Sequence, residues 1–501
     1  MMCFIRSICG LFLCTVFFGS DAPANESAIQ AGVAVVEITP PDGYPIAGYF
    51  HERLAEGTLA PLYAKAMVLR QGETQTALII CDLIGITTDF YQSVSERASA
   101  ATGIPADQIV LSATHTHTAP DYAAAFAAWM NAGQPASKDL ADEPATFRIR
   151  WIAELVERTV ACVVEAHGRT AAAELLTGWT EQQMPVAFNR RFLQRDGSVR
   201  TWVGLKHAGT LRAAGPEDPL IPMLLVKPVS EPSSPTVLSN FALHLDTVGG
   251  NRWSPDYPGD IDRILKASLG DGTVSLFGTG CCGDINHVNP EGGDRNTARI
   301  IGESLGKTIV SGLSHLTTPE DSQLQVASRV VRLPLRTAGA EQVAEATEIL
   351  QQVADGQTVA FDDHVRARRV MMCDQLQNSP RLAGADHPHS PQLTSSLAGC
   401  GSTLPVRIHA ISIGRDLAIV CLPGEVFVEL GLTIRRASPF RTTMLIELSN
   451  CVETYYVPTQ AAFAGGGYEP NNSTLQPGAG ELLVEESLRL LQQLASSPAK
   501  P

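Results

Sequence analysis

Apolar and polar positions change period repeatedly along this chain. Runs with the length and β-branched content of strands are "AGVAVVEIT", "YAKAMVLRQ", "TALIICDLIG", "QIVLSATH", "PTVLSNFALHL", "TVSLFGTG", "QVASRVVRLPL", "VRIHAISIG", "LAIVCLPG" and "TTMLIELSN". Between them, residues 88–102, 145–167, 296–315, 340–354 and 481–494 repeat apolar side chains at intervals of three and four, the period of an amphipathic helix. Strand and helix patterns in alternation predict an α/β class of mixed sheets with flanking helices, not a bundle or a sandwich. No internal repeat of solenoid length interrupts this order.

The span from "LAPLYAKAMVL" to "LSATHTHTAP" reads as a βαβ-like unit whose last strand delivers His115 and His117 at its C-terminal end. In open α/β sheets that edge is where ligand sites form. An H-x-H pair on an extended chain presents both imidazoles to one side, because strand side chains alternate with period two. Metal ligands, a catalytic pair and ordinary polar residues at a strand end all fit that spacing. The least regular stretch, residues 374–403, is rich in Pro, Ser and Gly and reads as a long surface loop inside one large domain.

Composition narrows the picture. A chain of 501 residues, 44% hydrophobic, can bury a sizeable core. A net charge of −15 offers no basic stripe for a phosphate backbone, so nucleic acid is excluded as a partner. The N-terminus places Arg6 before an apolar run from Ile8 to Gly19 and then Ala22-Pro23-Ala24, the order of a secretory leader. Residues 1–24 are therefore expected to be a signal peptide, and the mature chain to be exported to a periplasmic or extracellular space. No later segment is long and apolar enough to span a bilayer. Of eleven cysteines, eight lie beyond the leader with no C-x-x-C spacing, and no pairing is assigned.

Four further stretches put chemically capable side chains directly after a strand-like run. They are "NFALHLDTVGGNRWSPDYPGD" with His244 and Asp246, "GTGCCGDINHVNP" with Asp284, Asn286 and His287, "VCLPGEVFVELG" with Glu425, and "NCVETYYVPTQAAFAGGGYEP" with Tyr455, Tyr456 and Tyr468. Each also has a plain structural reading. A histidine after a strand is often a satisfied polar residue, Glu425 suits a helix N-terminus, and the Gly-rich loop lacks the P-loop pattern.

Taken together, their order and wording resemble the catalytic domain of the neutral (non-lysosomal, neutral/alkaline) ceramidase family. The resemblance runs through "AGVAVVEITPPDGYPIAGYF", "PLYAKAMVL", "CDLIGI", "GIPADQIVLSATHTHTAP", "FNRR" and "YVPTQAAFAGGGYE", and implies a single catalytic domain over residues 28–496. It implies a zinc ion held by His115, His244, Glu425 and Tyr456. Imidazole nitrogens and a carboxylate suit zinc, and a phenol ligates as phenolate only if the metal lowers its pKa. It further implies His117 as a non-ligand group that manages protons, with Arg190 and Tyr468 positioned to steady an oxyanion. Arg191 and Arg195 are expected to be solvated.

Two departures qualify the resemblance. The family's G-D-V-S-P-N loop reads Gly283-Asp284-Ile285-Asn286-His287 here, so Asn286 stands where a nucleophilic or substrate-contacting serine would be. An amide cannot form an acyl-enzyme, whereas metal-activated water needs no side-chain nucleophile. Asp284 and Asn286 are then expected as substrate contacts. The family also carries a C-terminal immunoglobulin-like domain, whereas this chain ends about thirty residues past Tyr468 with one amphipathic segment. The expected activity is zinc-dependent hydrolysis of a linear amide, in a ceramide-like lipid of sphingolipid metabolism or another small-molecule amide. The alternatives are an esterase or amidase on a more polar substrate, and a non-catalytic binding protein with a degraded site.

Overall fold

The computed structural model describes residues 28–141, 143, 146–229, 234–293, 295–378 and 395–496, so the expected leader at 1–24 lies outside the described residues. Eight strands form the larger sheet: β1 (Gln30–Glu37), β2 (Tyr63–Gln71), β3 (Thr74–Cys81), β4 (Ile109–Ala113), β5 (Ala171–Glu181), β6 (Leu220–Pro228), β7 (Thr236–Phe241) and β8 (Val274–Thr279). Their spatial order is β8-β7-β6-β5-β1-β2-β3-β4. The interior pairs are antiparallel, and only the two outermost pairs, β3/β4 and β7/β8, are parallel.

Each parallel pair is closed by a crossover helix, as a parallel connection requires. Helix α1 (Thr88–Thr102) links β3 to β4, with Thr87 capping its N-terminus and Gly103, at φ 78°, ending it. Helix α4 (Tyr257–Leu269) links β7 to β8. Between them in sequence lie α2 (Ala123–Asn131) and α3 (Phe147–Gly168), and α5 (Ala298–Gly312) follows β8.

A second sheet follows, made of β9 (Leu324–Pro334), β10 (Thr403–Ile413), β11 (Leu417–Cys421) and β12 (Thr442–Ile446) in that order, its last pair parallel. The remaining helices are α6 (Ala340–Ala354), α7 (Phe361–Asn378), α8 (Val428–Ala437), the short α9 (Gln460–Gly465) and α10 (Tyr468–Asn471), and α11 (Ala479–Ser496).

Side-chain alternation explains how these layers stack. In β3, Ala77 and Ile79 pack against α1 and α3, whereas Leu78 and Ile80 face the second sheet. In β6, Met223 and Leu225 face α4 and α5, whereas Leu224 and Val226 face inward. In β11, Ile419 meets the large sheet while Val420 packs toward α8 and α11. The result is two sheets face to face between two helical layers, in which strands such as β3 and β11 read as continuous apolar runs because both faces are covered. Each fully buried Leu or Ile contributes roughly 1.5–3 kcal/mol.

The large sheet curls until its edges approach one another. Lys65 Nζ on β2 donates to Ser275 O on β8 at 2.8 Å, and Thr279 Oγ1 donates to Thr114 O at 2.7 Å. The C-terminal ends of both parallel pairs thereby reach one place.

The expected α/β architecture is present, and the structure adds elements that the pattern hid. Strand β5 begins Ala-Ala-Ala and is half exposed, and β6 contains Pro222, a residue that argues against an interior strand. Helix α7 occupies 374–378 of the expected loop and β10 begins at Thr403, while 379–394 lie outside the described residues. Among the described residues no helix is long and apolar enough to cross a membrane, and the eight cysteines are unpaired.

Candidate metal centre

Five loops build the site, one after each of β4, β7, β8, β11 and β12. Backbone bonds stitch them together: His117 N donates to Leu245 O (3.0 Å), Glu447 N to Thr279 O (2.9 Å), Gly283 N to Val426 O (2.9 Å) and Glu425 N to Tyr455 O (2.8 Å). Two glycines permit the close approaches. A Cβ on Gly48, at φ 98°, would meet the His117 ring at 2.8 Å, and one on Gly283 would meet Glu425 O at 2.5 Å.

The two imidazoles of the pair do meet on one side, with Nε2 atoms 3.4 Å apart, but they are not presented by an extended chain as the H-x-H spacing implied. Strand β4 ends at Ala113, and His115 has φ 75°, in the left-handed region that a non-glycine residue adopts only when held there. It is held by His115 N donating to Leu83 O at 2.9 Å, by Thr114 N donating to Cys81 O at 2.9 Å, and by its own Nδ1 against Ile84 O at 2.6 Å.

Those anchors decide the tautomers. His115 Nδ1 donates to Ile84 O, and His244 Nδ1 donates to Cys282 O at 2.9 Å, which leaves both Nε2 atoms as lone pairs. The two Nε2 atoms are 3.2 Å apart. Glu425 Oε2 lies 3.2 Å from His244 Nε2 and 3.4 Å from His115 Nε2, buried and without a hydrogen-bond partner. Two lone pairs and a carboxylate oxygen aimed at one point repel each other unless a cation sits among them. Against its burial, Glu425 raises the His115 pKa, and against its own burial Glu425 is held well below the usual carboxylate range by His115 and His244. The donor set suits a divalent metal that prefers nitrogen and oxygen.

His117 belongs to the same cluster by distance, with Nε2 3.4 Å from His115 Nε2, and the three histidines together could hold a metal. It differs in its environment: no carbonyl fixes its Nδ1 among the described residues. Burial and then the neighbouring His115 push its pKa down to about 3, so the ring is neutral at pH 7.

Tyr456 reaches the site because its backbone pairs in register with Glu425 across a two-residue parallel bridge. Its hydroxyl accepts from Arg190 Nη2 at 3.0 Å, while burial and then Glu425 raise its pKa well above the ordinary phenol value. Arg190 is fixed by three acceptors: Tyr456, Gly283 O at 2.9 Å and Glu469 Oε1 at 2.9 Å. Glu469 was not anticipated, and it also takes Arg191 Nη1 on Oε2 at 2.6 Å. Arg191 is thus buried and paired instead of solvated, whereas Arg195 is exposed as expected. Tyr468 packs its ring against Tyr456, Trp202 and Phe361, and its hydroxyl accepts from Asn472 Nδ2 at 2.9 Å.

A cavity of about 1110 Å³ opens over the cluster, with His117, His244, Arg190, Tyr456 and Tyr468 in its wall. Asn286 is also in that wall, its Oδ1 accepting from Val288 N at 3.1 Å. Asp284, expected as a substrate contact, is not. Its oxygens accept from Val428 N at 2.9 Å and Asn189 Nδ2 at 2.7 Å, and burial pushes its carboxyl up to about 6. The carboxylate facing the cavity is Asp246, whose Oδ1 pairs with the buried His287 Nδ1 at 2.9 Å. Burial raises the Asp246 pKa, but the hydrogen bond from His287 together with the charges of the surrounding histidines outweighs it and holds the carboxyl well below its usual range. Both residues stood in the stretches singled out from sequence, but nothing local announced their pairing.

No family model matches the chain, and no curated protein matches it. Solved structures do share its fold. A neutral ceramidase from Pseudomonas aeruginosa superposes with a TM-score of 0.66 at 18% identity over 95% of this chain and 76% of that one. A structure described as ceramidase complexed with C2 superposes with a TM-score of 0.65 at 17% identity, over 95% of this chain and 77% of the other. At such identities the likeness establishes a ceramidase-like fold.

Proposed function

We propose that this chain is an exported zinc-dependent hydrolase of N-acyl amides, with ceramide-like lipids as the first substrate class to assay. The observation that carries the proposal is the convergence of two carbonyl-anchored imidazoles and the unpartnered Glu425 Oε2 at the floor of a large cavity. His115, His244 and Glu425 would hold the ion, with Tyr456 as the fourth ligand. Zinc bound there supplies Lewis-acid polarisation of a carbonyl and a water of lowered pKa.

The remaining groups belong to the chain itself. His117, beside the cluster and in the cavity wall, is the imidazole placed to accept a proton as water attacks and to return it to the leaving amine. Arg190, locked by Glu469 and Gly283, presents a fixed positive charge, and Tyr468 lines the same cavity. Aromatic rings of Phe192, Trp202 and Phe361 in the cavity wall suit an acyl arm.

The test is metal analysis together with N-acylsphingosine hydrolysis, in the purified protein and in His115→Ala. Full activity in a metal-free variant overturns the reading. A second reading keeps the metal and changes the substrate to a more polar amide or ester, and is favoured by Asp246, Asn286, Asn289 and Arg295 in the same wall.

A further inference from the structure

Helix α7 lays one face along the cavity system. Phe361 and His364, one turn apart, line the large cavity, and the next turn brings Arg368 and Arg369 into a smaller chamber of about 120 Å³. That chamber touches His115, His117, Glu425 and Tyr456, so it meets the candidate metal centre as the large cavity does. Its other walls mix short apolar side chains, Ala47, Ala123 and Val452, with polar ones that include Asp121 and Asn472.

The two arginines differ in what they hold. Arg369 is committed: Nε donates to Asn472 Oδ1 at 2.6 Å, Nη1 contacts Met372 Sδ at 3.0 Å, and the guanidinium lies 3.4 Å from the Tyr455 ring centroid. Arg368 donates no hydrogen bond and makes no ion pair among the described residues; its guanidinium lies 5.7 Å from the Phe50 ring centroid. Asp121, in the same chamber, is felt electrostatically by Arg368 without being paired to it. Arg368 is partly buried beside a second guanidinium, and its N–H donors are not taken up by protein acceptors, so they remain open to a ligand in the chamber. A planar fork of donors matches a carboxylate bidentately.

We propose that Arg368 binds a carboxylate of the substrate in this chamber, so that the amide hydrolysed is an N-acyl amino acid. The amino-acid part enters the small chamber and the acyl arm lies in the large cavity. The chamber has room for a carboxylate and a short linker, and none for a long sphingoid chain. This rests on the hydrolase reading above and specifies the amine half of its substrate.

The experiment compares N-dodecanoylglycine with N-dodecanoylethanolamine, equal in length and differing in the anionic group. In the purified full chain, kcat/KM is expected to favour the glycine conjugate by about tenfold or more. Arg368→Met abolishes that preference by lowering the glycine value, and Arg368→Lys keeps part of it. Calorimetric binding of both compounds to the chelator-treated chain separates the two readings. A glycine preference in binding that Arg368→Met removes, with neither compound hydrolysed by the zinc-loaded chain, supports the anion site and sinks the hydrolase reading. Hydrolysis of both compounds without preference overturns the anion site, as does Arg368→Met lowering the melting temperature alone, which would make Arg368 a structural counter-charge to Asp121.

Discussion

His115 and His244 face each other Nε2 to Nε2 at 3.2 Å, each on a ring whose Nδ1 is tied to a backbone carbonyl. Neither ring can rotate or change tautomer to relieve the contact without losing its anchor. The pair is therefore preorganised for a cation, and its strain is relieved on binding one.

Metal removal is accordingly expected to destabilise the fold. A ligand present at a hundred times its Kd stabilises the native state by about 2.7 kcal/mol. Chelator should lower the melting temperature of the purified chain by several degrees, and zinc should restore it. His244→Ala should abolish both the bound metal and the restoration. An unchanged melting curve, with no zinc bound on dialysis, removes the metal centre from the proposal.

His117 separates chemistry from ligation. His117→Gln preserves the anchored pair and Glu425, so metal content measured by elemental analysis stays near the parent value. Turnover of an N-acyl amide falls by about 10²–10⁴-fold, the usual worth of a general acid–base group. Loss of the metal in this variant would instead make His117 a third imidazole ligand, which the distances alone allow.

Glu469 holds two buried guanidinium groups at once. Glu469→Gln leaves Arg190 and Arg191 without their shared counter-charge, and breaking a buried pair from one side costs about 3–5 kcal/mol. Denaturant unfolding of the chelator-treated chain measures this apart from metal binding. A loss below about 1 kcal/mol would mean that Gly283, Gly466 and Tyr456 suffice to hold the arginines.

Local signals carried most of the legible part of this fold. Helices α1 and α6 begin and end where the sequence pattern predicted, because caps and apolar spacing lie within a few residues of each other. Helix α7 escaped notice because its inner face includes Arg369 and Gln375, so no apolar stripe marks it. The candidate ligands were placed by motif resemblance and not by spacing, and the left-handed backbone of His115 had no signature in "THTH". Arg191 was misjudged for a related reason. Nothing near it in sequence is acidic enough to predict burial, and its partner Glu469 lies 278 positions away.

Histidine 409 supplies a pH dependence remote from the cluster. It is buried on β10, its Nε2 donates to Asp107 O at 3.0 Å, and its Nδ1 accepts from Asn450 Nδ2 at 3.1 Å, so both ring nitrogens are used by the neutral form. Burial, and then Arg407, lowers its pKa from 6.5 to about 3. Between those values the unfolded chain binds a proton that the folded chain does not, so this group's contribution to stability is complete above pH 6.5 and is lost as pH falls toward 3. The slope is at most about 1.4 kcal/mol per pH unit. Asp82 and Asp284, whose carboxyls burial pushes up to about 6, act in the opposite sense, taking up protons in the folded state below that pH. The wild-type curve therefore mixes the two, and the difference between wild type and His409→Gln isolates the histidine. Glutamine keeps a donor and an acceptor but cannot titrate, so the variant's stability relative to wild type should rise steadily from pH 6.5 to pH 4 in urea unfolding. A constant difference across that range would show that His409 is protonated in the folded chain or that Asn450 turns its amide to accept the charge.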